Sequence, residues 1–289
     1  MSDRRITNAF SVDVEDWYQV SDFEDRVQLG EWGRYESRVV QNTRRILRLL
    51  DEFGVKGTFF ILAWNAERHP ELIEEIAGAG HEIATHGYAH RLVYELGPEG
   101  FRADLERSLE ILRRILGFPV RGYRAPSFSV TARSLWALDI LLELGIEYDS
   151  SIFPVKDSLY GVPGALRFPF VIHSRQGRDL VEFPMSTTRL GRRNLPLGGG
   201  AYLRVLPYSY MRWGMRRVNR EGQPAIVYLH PWELDPGQPR LGNRGKRGLS
   251  THYLNLSAME EKLRRLLRDF RFAPVGEVLS SAGWLRAAA

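Results

Sequence analysis

Short apolar segments alternate with amphipathic segments along the first half of the chain, and this alternation constrains the fold more than any other feature. Residues 6–14, 57–62 and 81–85 are compact apolar runs typical of buried strands. Residues 39–53 and 98–116 have apolar side chains at helical spacing. Repeated strand–helix units imply parallel strands joined by right-handed crossovers. The sequence therefore predicts an α/β fold, built either as a barrel or as a doubly wound sheet.

The pattern becomes less regular in the second half. A helix over 131–144, capped by Thr131, and a strand over 181–185 are still indicated, and Gly198-Gly199-Gly200 predicts a flexible or tightly turned element. Nothing in the sequence has the composition of an interdomain linker. We expect a single domain over residues 1–289, with residues 235–289 forming an extension packed on it.

Composition excludes several classes of protein. The net charge is +5, but the basic residues are dispersed and alternate with acids, and no nucleic-acid recognition motif accompanies them, so we expect no nucleic-acid partner. The longest apolar runs fall far short of the roughly 20 residues that span a bilayer. The absence of cysteine excludes disulfides and thiolate metal sites. With a polar N-terminus lacking a signal-like apolar region, a cytoplasmic protein is expected.

Ionisable residues are concentrated where the predicted strands end. In both barrels and doubly wound sheets, chemistry is placed at the carboxyl ends of parallel strands. The residues at these positions are Asp13, Glu15 and Asp16 after the first strand, His86 and His90 after the third, Arg124, Asp149 and His230. Their convergence predicts a catalytic or metal site at one edge of the sheet.

Two of these residues, His86 and His90, have the character of metal ligands. Neutral imidazole suits zinc and neighbouring transition metals, although an isolated pair at this spacing is more often two surface histidines. Asp13 and Glu15 alternate on a strand and point to the same face, so one can hold a metal while the other accepts a proton from water. Asp16 faces away unless the strand ends earlier than predicted.

The other three residues allow two interpretations each. Arg124 is either a surface charge or a guanidinium that holds a catalytic carboxylate ionised and oriented. His230 is either a core histidine with satisfied hydrogen bonds or a general acid for a leaving amine. Asp149 either orients such a histidine or forms an ordinary turn.

Five short motifs in chain order resemble those of the polysaccharide deacetylases (NodB-like, family 4 carbohydrate esterases). They are Ser11-Val12-Asp13-Val14-Glu15, in an Asp-x-acid form rather than the commoner Asp-Asp, Thr85-His86-Gly87-Tyr88-Ala89-His90, Arg124-Ala125-Pro126-Ser127-Phe128, Tyr148-Asp149-Ser150-Ser151 and Leu229-His230. Later segments are similar to the extension of deacetylases from exosortase-associated exopolysaccharide gene clusters: residues 198–204, 230–233 and 252–256. The resemblance covers essentially the whole chain.

The resemblance implies a distorted (β/α)7-type barrel with an elaborated C-terminal extension, and hydrolysis of acetyl groups assisted by a divalent metal, most commonly zinc. By position, Asp13 is the catalytic base, and Glu15, His86 and His90 are the metal ligands. Because the second acid is Glu15 where the commoner motif has Asp, Asp16 remains an alternative to Glu15.

The same resemblance assigns roles to the remaining motif residues. Arg124 positions the base, His230 protonates the departing amine, and Asp149 tunes His230. A backbone N–H near Ser127 or Phe128 helps to hold the oxyanion.

The implied substrate is an N-acetylated, or O-acetylated, exopolysaccharide or its lipid-linked glycan precursor. We expect the glycan to contact four aromatic side chains: Trp17, Tyr88, Phe128 and Trp232. Two alternatives stay open: an allantoinase-like hydrolase of cyclic amides on the same barrel, and a carbohydrate-binding barrel without activity.

Overall fold

A computed structural model describes residues 6–157, 160–175, 177–241 and 251–286. Most of the polar N-terminus, and residues 242–250 and 287–289 of the predicted extension, lie outside the described residues. The strands are β1 (Thr7–Val14), β2 (Thr58–Ile61), β3 (Glu82–Thr85), β4 (Gly122–Tyr123), β5 (Tyr148–Asp149), β6 (Phe170–Arg175), β7 (Arg178–Glu182), β8 (Thr187–Leu190), β9 (Arg193–Pro196), β10 (Ile226–Leu229) and β11 (Arg271–Ala273). The helices are α1 (Val39–Glu52), α2 (Ala63–Arg68), α3 (Pro70–Gly78), α4 (Val93–Leu116), α5 (Ala137–Glu143), α6 (Ala201–Val205), α7 (Tyr208–Arg220), α8 (Leu256–Asp269) and α9 (Val275–Ser281).

Nine of the described strands form one sheet in the order β10–β1–β2–β3–β4–β5–β7–β6, with β11 also paired to β1. Every pairing is parallel except that of β6 with β7. The predicted α/β fold is therefore confirmed, in the form of a curled half-barrel. The extent of the predicted single domain and of its extension stays a prediction. Within the described residues, no helix is both long and apolar enough to cross a membrane.

Two predicted elements in the middle of the chain differ from the structure. The strand predicted over 181–185 overlaps only the last two residues of β7, Val181 and Glu182. Its partner β6 was not predicted, because Pro and Gly interrupt the preceding sequence. The helix predicted over 131–144 begins only at Ala137. Ser134 explains the late start, since its hydroxyl donates to the carbonyl of Ser129 and accepts from the N–H of Thr131, which closes a separate turn.

The parallel pairing brings the carboxyl ends of five strands to one edge of the sheet. Asp13 on β1 is level with Phe60 on β2, and Thr85 on β3 is level with Tyr123 on β4. Tyr123 is in turn level with Asp149 on β5. The residues that directly follow these strands therefore emerge side by side, as expected from the sequence.

Gly198-Gly199-Gly200 forms a tight turn that holds the start of α6 against strand β10. The N–H of Gly200 donates to the carbonyl of Tyr228 at 3.0 Å, and the N–H of Tyr228 donates to the carbonyl of Gly198 at 2.6 Å. Gly199 has φ +142°, and a Cβ there would lie 1.7 Å from the carbonyl oxygen of Tyr228. Only glycine allows the chain to approach β10 this closely. The turn places α6 beside the end of the strand that carries His230.

We predict that Gly199→Ala lowers the free energy of unfolding by about 2–4 kcal/mol, because backbone strain and a steric clash add together. Gly222→Ala is the matched control: Gly222 also has positive φ, but a Cβ added there would have nothing within 4 Å. That variant should lose only about 1 kcal/mol. Urea denaturation of the two variants and the parent protein measures the difference. Equal losses would contradict the close approach to β10.

Candidate active site

Three buried side chains converge as a potential metal site: Glu15, His86 and His90. One ligand atom from each residue lies within 4.8 Å of the others. Nδ1 of His86 donates to the carbonyl of Arg124 at 2.8 Å, which leaves Nε2 of that ring for a ligand. Two imidazoles and one carboxylate, with room for water and substrate, form a donor set that fits zinc and similar divalent metals. The chemistry of these residues therefore fits a metal.

Two of these three residues, His86 and Glu15, have the protonation state that a cation ligand needs. Burial opposes protonation of His90, but the nearby Glu15 outweighs burial and raises the pKa of His90. Burial lowers the pKa of His86 to about 4, so its ring is neutral at physiological pH. Glu15 lies between two histidines, with Oε2 2.9 Å from Nε2 of His90 and Oε1 3.0 Å from Nε2 of His230. Burial opposes its charge, but these histidines outweigh that effect and lower the pKa of Glu15 well below its usual value. Glu15 is thus a buried carboxylate held in its charged form.

Asp13 is fixed by a completely buried arginine. Nη1 of Arg124 lies 2.6 Å from Oδ1 of Asp13 and 2.9 Å from the hydroxyl of Ser11. Nε and Nη2 donate to the carbonyl and hydroxyl oxygens of Ser150. The ring of Phe60 lies 4.0 Å from the guanidinium carbon. Arg124 is therefore no surface charge, and its guanidinium is hydrogen-bonded to the carboxylate of Asp13.

The second carboxylate at His230 is Glu233, a residue that sequence reasoning missed. Oε2 of Glu233 accepts from Nδ1 of His230 at 3.2 Å and from its backbone N–H at 3.0 Å. Oε1 of Glu233 lies 2.6 Å from Nε of Arg204 on α6. The sequence did contain a signal, because an acid three residues after position 230 matches the spacing of a capping box.

These contacts determine the protonation state of the His230 ring. Burial opposes its protonation, but Glu15 and Glu233 outweigh burial and raise the pKa of His230 to about 10. Burial also opposes the charge of Glu233, yet Arg204 and His230 lower the pKa of Glu233 to about 2. The imidazole is therefore protonated and aligned by Glu233, with Nε2 directed at the metal-ligand cluster.

Asp149 forms its hydrogen bonds away from His230, and its expected influence on that histidine stays a prediction. It is level with Glu182 on the neighbouring strand β7, and the two carboxyl groups are fully buried together. Asp149 accepts a hydrogen bond from the hydroxyl of Ser151, which accepts in turn from the N–H of Ala125 at 2.8 Å. Asp149 thus supports the segment that carries Arg124.

Asp16 is turned away from the cluster and anchors the start of α1. Its carboxylate accepts from the hydroxyl of Ser37 at 2.7 Å and from the backbone N–H groups of Arg38 and Val39. A helix start leaves N–H groups without partners, and an aspartate commonly satisfies them. Of the two acids considered from the sequence, only Glu15 lies among the histidines.

A cavity of about 700 Å³ opens onto the cluster. Its lining includes Asp13, Glu15, His86, His90 and His230. Of the four aromatic residues expected to contact a glycan, Phe128 and Trp232 line the cavity. Trp17 and Tyr88 do not. The indole of Trp17 is buried and donates to the carbonyl of Glu36, and the hydroxyl of Tyr88 donates to Glu67.

The segment expected to supply an oxyanion-binding N–H is conformationally unusual. Ser127 and Phe128 both have positive φ, at 50° and 53°, a costly conformation for residues other than glycine. The N–H of Phe128 already donates to the carbonyl of Ala125 at 3.0 Å. Of the two positions proposed from the sequence, Ser127 is therefore the better placed for this role.

Two sequence families match successive parts of the chain. Residues 32–148 match the polysaccharide deacetylases, and residues 150–280 match a domain of unknown function, DUF3473. The similarity to the polysaccharide deacetylases therefore covers less than half of the chain. Deacetylases of this family depend on a metal in general. The exosortase-associated similarity of the later segments stays a prediction.

Curated relatives match only part of the chain. The peptidoglycan-N-acetylglucosamine deacetylase of Bacillus cereus is 34% identical over 98 residues, which cover 34% of this chain and 36% of that protein. The chitooligosaccharide deacetylase of Sinorhizobium fredii is 35% identical over 104 residues, covering 34% and 44%. The chain thus aligns with less than half the length of each of these relatives.

Solved structures cover nearly the whole chain. A polysaccharide deacetylase homologue from Mycobacterium smegmatis superposes with a TM-score of 0.58 at 24% identity, over 98% of this chain and 93% of that one. The PuuE allantoinase superposes with a TM-score of 0.62 at 16% identity, over 97% and 92%. At such identities the likeness shows the fold alone, and both enzyme types share it.

The buried acid pair makes stability depend on pH. Burial raises the pKa of Asp149 to about 6 and raises that of Glu182 well above its usual value. Both carboxyls ionise near pH 4 in the unfolded chain. The folded protein therefore binds more protons than the unfolded chain above pH 4, and the free energy of unfolding falls as pH rises through the folded pKa values.

We predict that Glu182→Gln weakens this dependence. Between pH 5 and pH 7 the variant should lose about 1–3 kcal/mol less stability than the parent protein, since one proton accounts for about 1.4 kcal/mol per pH unit. Urea denaturation at both pH values measures the change. Glu106→Gln, at an exposed position on α4, is the control and should keep the parental slope. An unchanged slope in Glu182→Gln would show that the pair is ionised in the folded protein.

Proposed function

We propose that this protein is a metal-dependent N-deacetylase of an acetylated glycan, with zinc as the metal and an exopolysaccharide or its precursor as the substrate. The observation that carries the proposal is the convergence of Glu15, His86 and His90 beside an arginine-bound Asp13 in one cavity. The match of residues 32–148 to the deacetylase family supports the same chemistry. The similarity of the later segments to exopolysaccharide-associated deacetylases favours that class of glycan.

In this proposal each residue of the site has one task. Glu15, His86 and His90 would hold the metal, which when bound polarises the acetyl carbonyl. Asp13 takes the proton from the attacking water, and Arg124 orients its carboxylate.

His230 then acts on the leaving group. It donates the proton on Nε2 to the departing amine, which would otherwise leave as a poor, negatively charged group. Glu233 holds the ring by Nδ1, so that Nε2 faces the cavity, and Arg204 holds Glu233. The N–H of Ser127 is available to stabilise the oxyanion of the tetrahedral intermediate.

We predict that the purified protein contains about one equivalent of zinc and releases acetate from N-acetylated oligosaccharides. His86→Ala should lose both the metal and the activity, because two ligands cannot retain it. Asp13→Asn should keep the metal but lose about 10²–10⁴-fold in kcat, because the proton acceptor is gone. Elemental analysis and an acetate assay provide the two measurements.

His173→Ala is the control for histidine removal, since His173 on β6 pairs with Asp139 and does not line the cavity. It should retain the metal and the activity. Full activity in Asp13→Asn would contradict the proposed base. Hydrolysis of a cyclic ureide without acetate release would instead favour the allantoinase-like alternative.

A further prediction distinguishes the effect of Glu233 on His230 from that of Asp149. Glu233→Gln should lower kcat about 10–100-fold with little change in KM, because the ring of His230 loses its charged partner. Asp149→Asn should leave the orientation of His230 unchanged, because the two residues do not touch. The distinguishing measurement is the ¹H–¹⁵N signal of the His230 ring, which should move in Glu233→Gln and stay in Asp149→Asn. The opposite pattern would support the role first expected for Asp149.

A further inference from the structure

The cavity of the candidate active site has an aliphatic part that the chemistry described above does not use. Four aliphatic residues line the cavity together with the ligand cluster, which consists of Glu15, His86 and His90. They are Leu195 and Pro196 of β9, Val205 of α6, and Leu206 directly after α6. Val205 is 41% exposed although it is apolar. Apolar side chains that border a catalytic cavity and remain exposed to solvent are typical of a binding surface.

Several polar groups elsewhere in the cavity are hydrogen-bonded to other protein groups. The guanidinium of Arg204 is bound by Glu233 and by backbone carbonyls, including that of His252. The hydroxyls of Ser21 and Ser127 lie 2.8 Å apart. The hydroxyls of Tyr160 and Tyr202 are also paired, at 3.1 Å. Among the described residues, these hydrogen bonds occupy part of the polar lining, whereas the side chains of Leu195, Pro196, Val205 and Leu206 offer no hydrogen-bonding group at all.

The aromatic and the aliphatic parts of the cavity lining favour different parts of a ligand. Sugars present flat C–H faces that pack on aromatic rings, and Phe128 and Trp232 provide such rings near the ligand cluster. Branched aliphatic side chains provide neither a flat ring nor a hydrogen-bonding group. A saccharide placed against them would leave its hydroxyls without partners, whereas an alkyl chain would lose only its contact with water.

We infer that the substrate is a glycan joined to an aliphatic aglycone, and that Leu195, Pro196, Val205 and Leu206 bind the aglycone. This inference rests on the proposed deacetylation and specifies its substrate class. The acetylated sugar lies at the ligand cluster, and the alkyl portion lies against β9 and α6. The turn at Gly198–Gly200 keeps α6 in place for this contact.

The test compares acetate release from three soluble probes below their micelle-forming concentrations: the methyl glycoside of N,N′-diacetylchitobiose, its octyl glycoside, and N-acetylchitohexaose. For the parent protein, kcat/KM should be at least about tenfold higher for the octyl than for the methyl glycoside, through a lower KM. Burial of about two methylene groups is enough for that gain. The hexaose should give no comparable gain.

Substitutions in the aliphatic lining test whether the preference for the octyl glycoside arises from these residues. In a double variant with Leu195→Asn and Val205→Asn, the octyl-to-methyl ratio of kcat/KM should fall close to one. Val205→Leu keeps the apolar surface and should keep the ratio. Leu135→Asn is the matched control, since Leu135 is also an exposed leucine but lies outside the cavity lining. It should keep the ratio as well.

The outcomes distinguish the inference from the proposed function. Equal kcat/KM values for the octyl and methyl glycosides, or a gain with the hexaose alone, would overturn the aglycone site while supporting deacetylation. An unchanged ratio in the double variant would also overturn it. Absence of acetate from all three probes would count against the proposed function. Calorimetric titration with the octyl and methyl glycosides then decides the inference separately, because binding to the aliphatic lining does not require turnover.

Discussion

The ion pair between Arg124 and Asp13 is the constraint on which the rest of the site depends. A guanidinium with no exposed surface must be neutralised and fully hydrogen-bonded, because an isolated buried charge is very costly. Asp13 supplies the charge, and Ser11 and Ser150 supply further acceptors. These partners belong to β1 and to the residue after β5, so the pair ties together the ends of strands far apart in the sequence. The carboxylate of Asp13 and the edge of the sheet are thereby fixed by the same contacts.

A second buried arginine repeats this arrangement on the other side of the ligand cluster. Arg204 neutralises Glu233, and Glu233 aligns His230. The two arginines come from different sequence families: Arg124 lies in the segment that matches the polysaccharide deacetylases, whereas Arg204 and Glu233 lie in the segment that matches DUF3473. The second segment therefore does more than cover the sheet, because it supplies the histidine and both residues that hold it. Without the second segment, the site would lack the ring that lies next to Glu15.

Sequence reasoning reached the fold and most of the site because both depend on local periodicity. Alternating strand and helix patterns locate the parallel strands, and parallel strands bring Asp13, His86 and Arg124 to one edge. Contacts between strands distant in the chain carry no such local signal. The pairing of β5 with β7 places Glu182 beside Asp149, and the glycine turn brings Arg204 to Glu233. For that reason Asp149 was expected to reach His230, although the fold puts another carboxylate there.

The short helix α6 would link the proposed catalysis to the proposed preference for substrate. Arg204 on this helix is buried against Glu233, and the next residue, Val205, is exposed at the cavity. Adjacent helical residues project in directions about 100° apart, so one helix can hold a buried ion pair and still present an apolar surface to a ligand. Both functions depend on the position of α6, which the backbone hydrogen bonds of Gly198–Gly200 to Tyr228 determine. A substitution at this turn would therefore alter both the alignment of His230 and the position of the aliphatic lining. A substitution of Glu233 would change only the first, and a substitution of Val205 only the second.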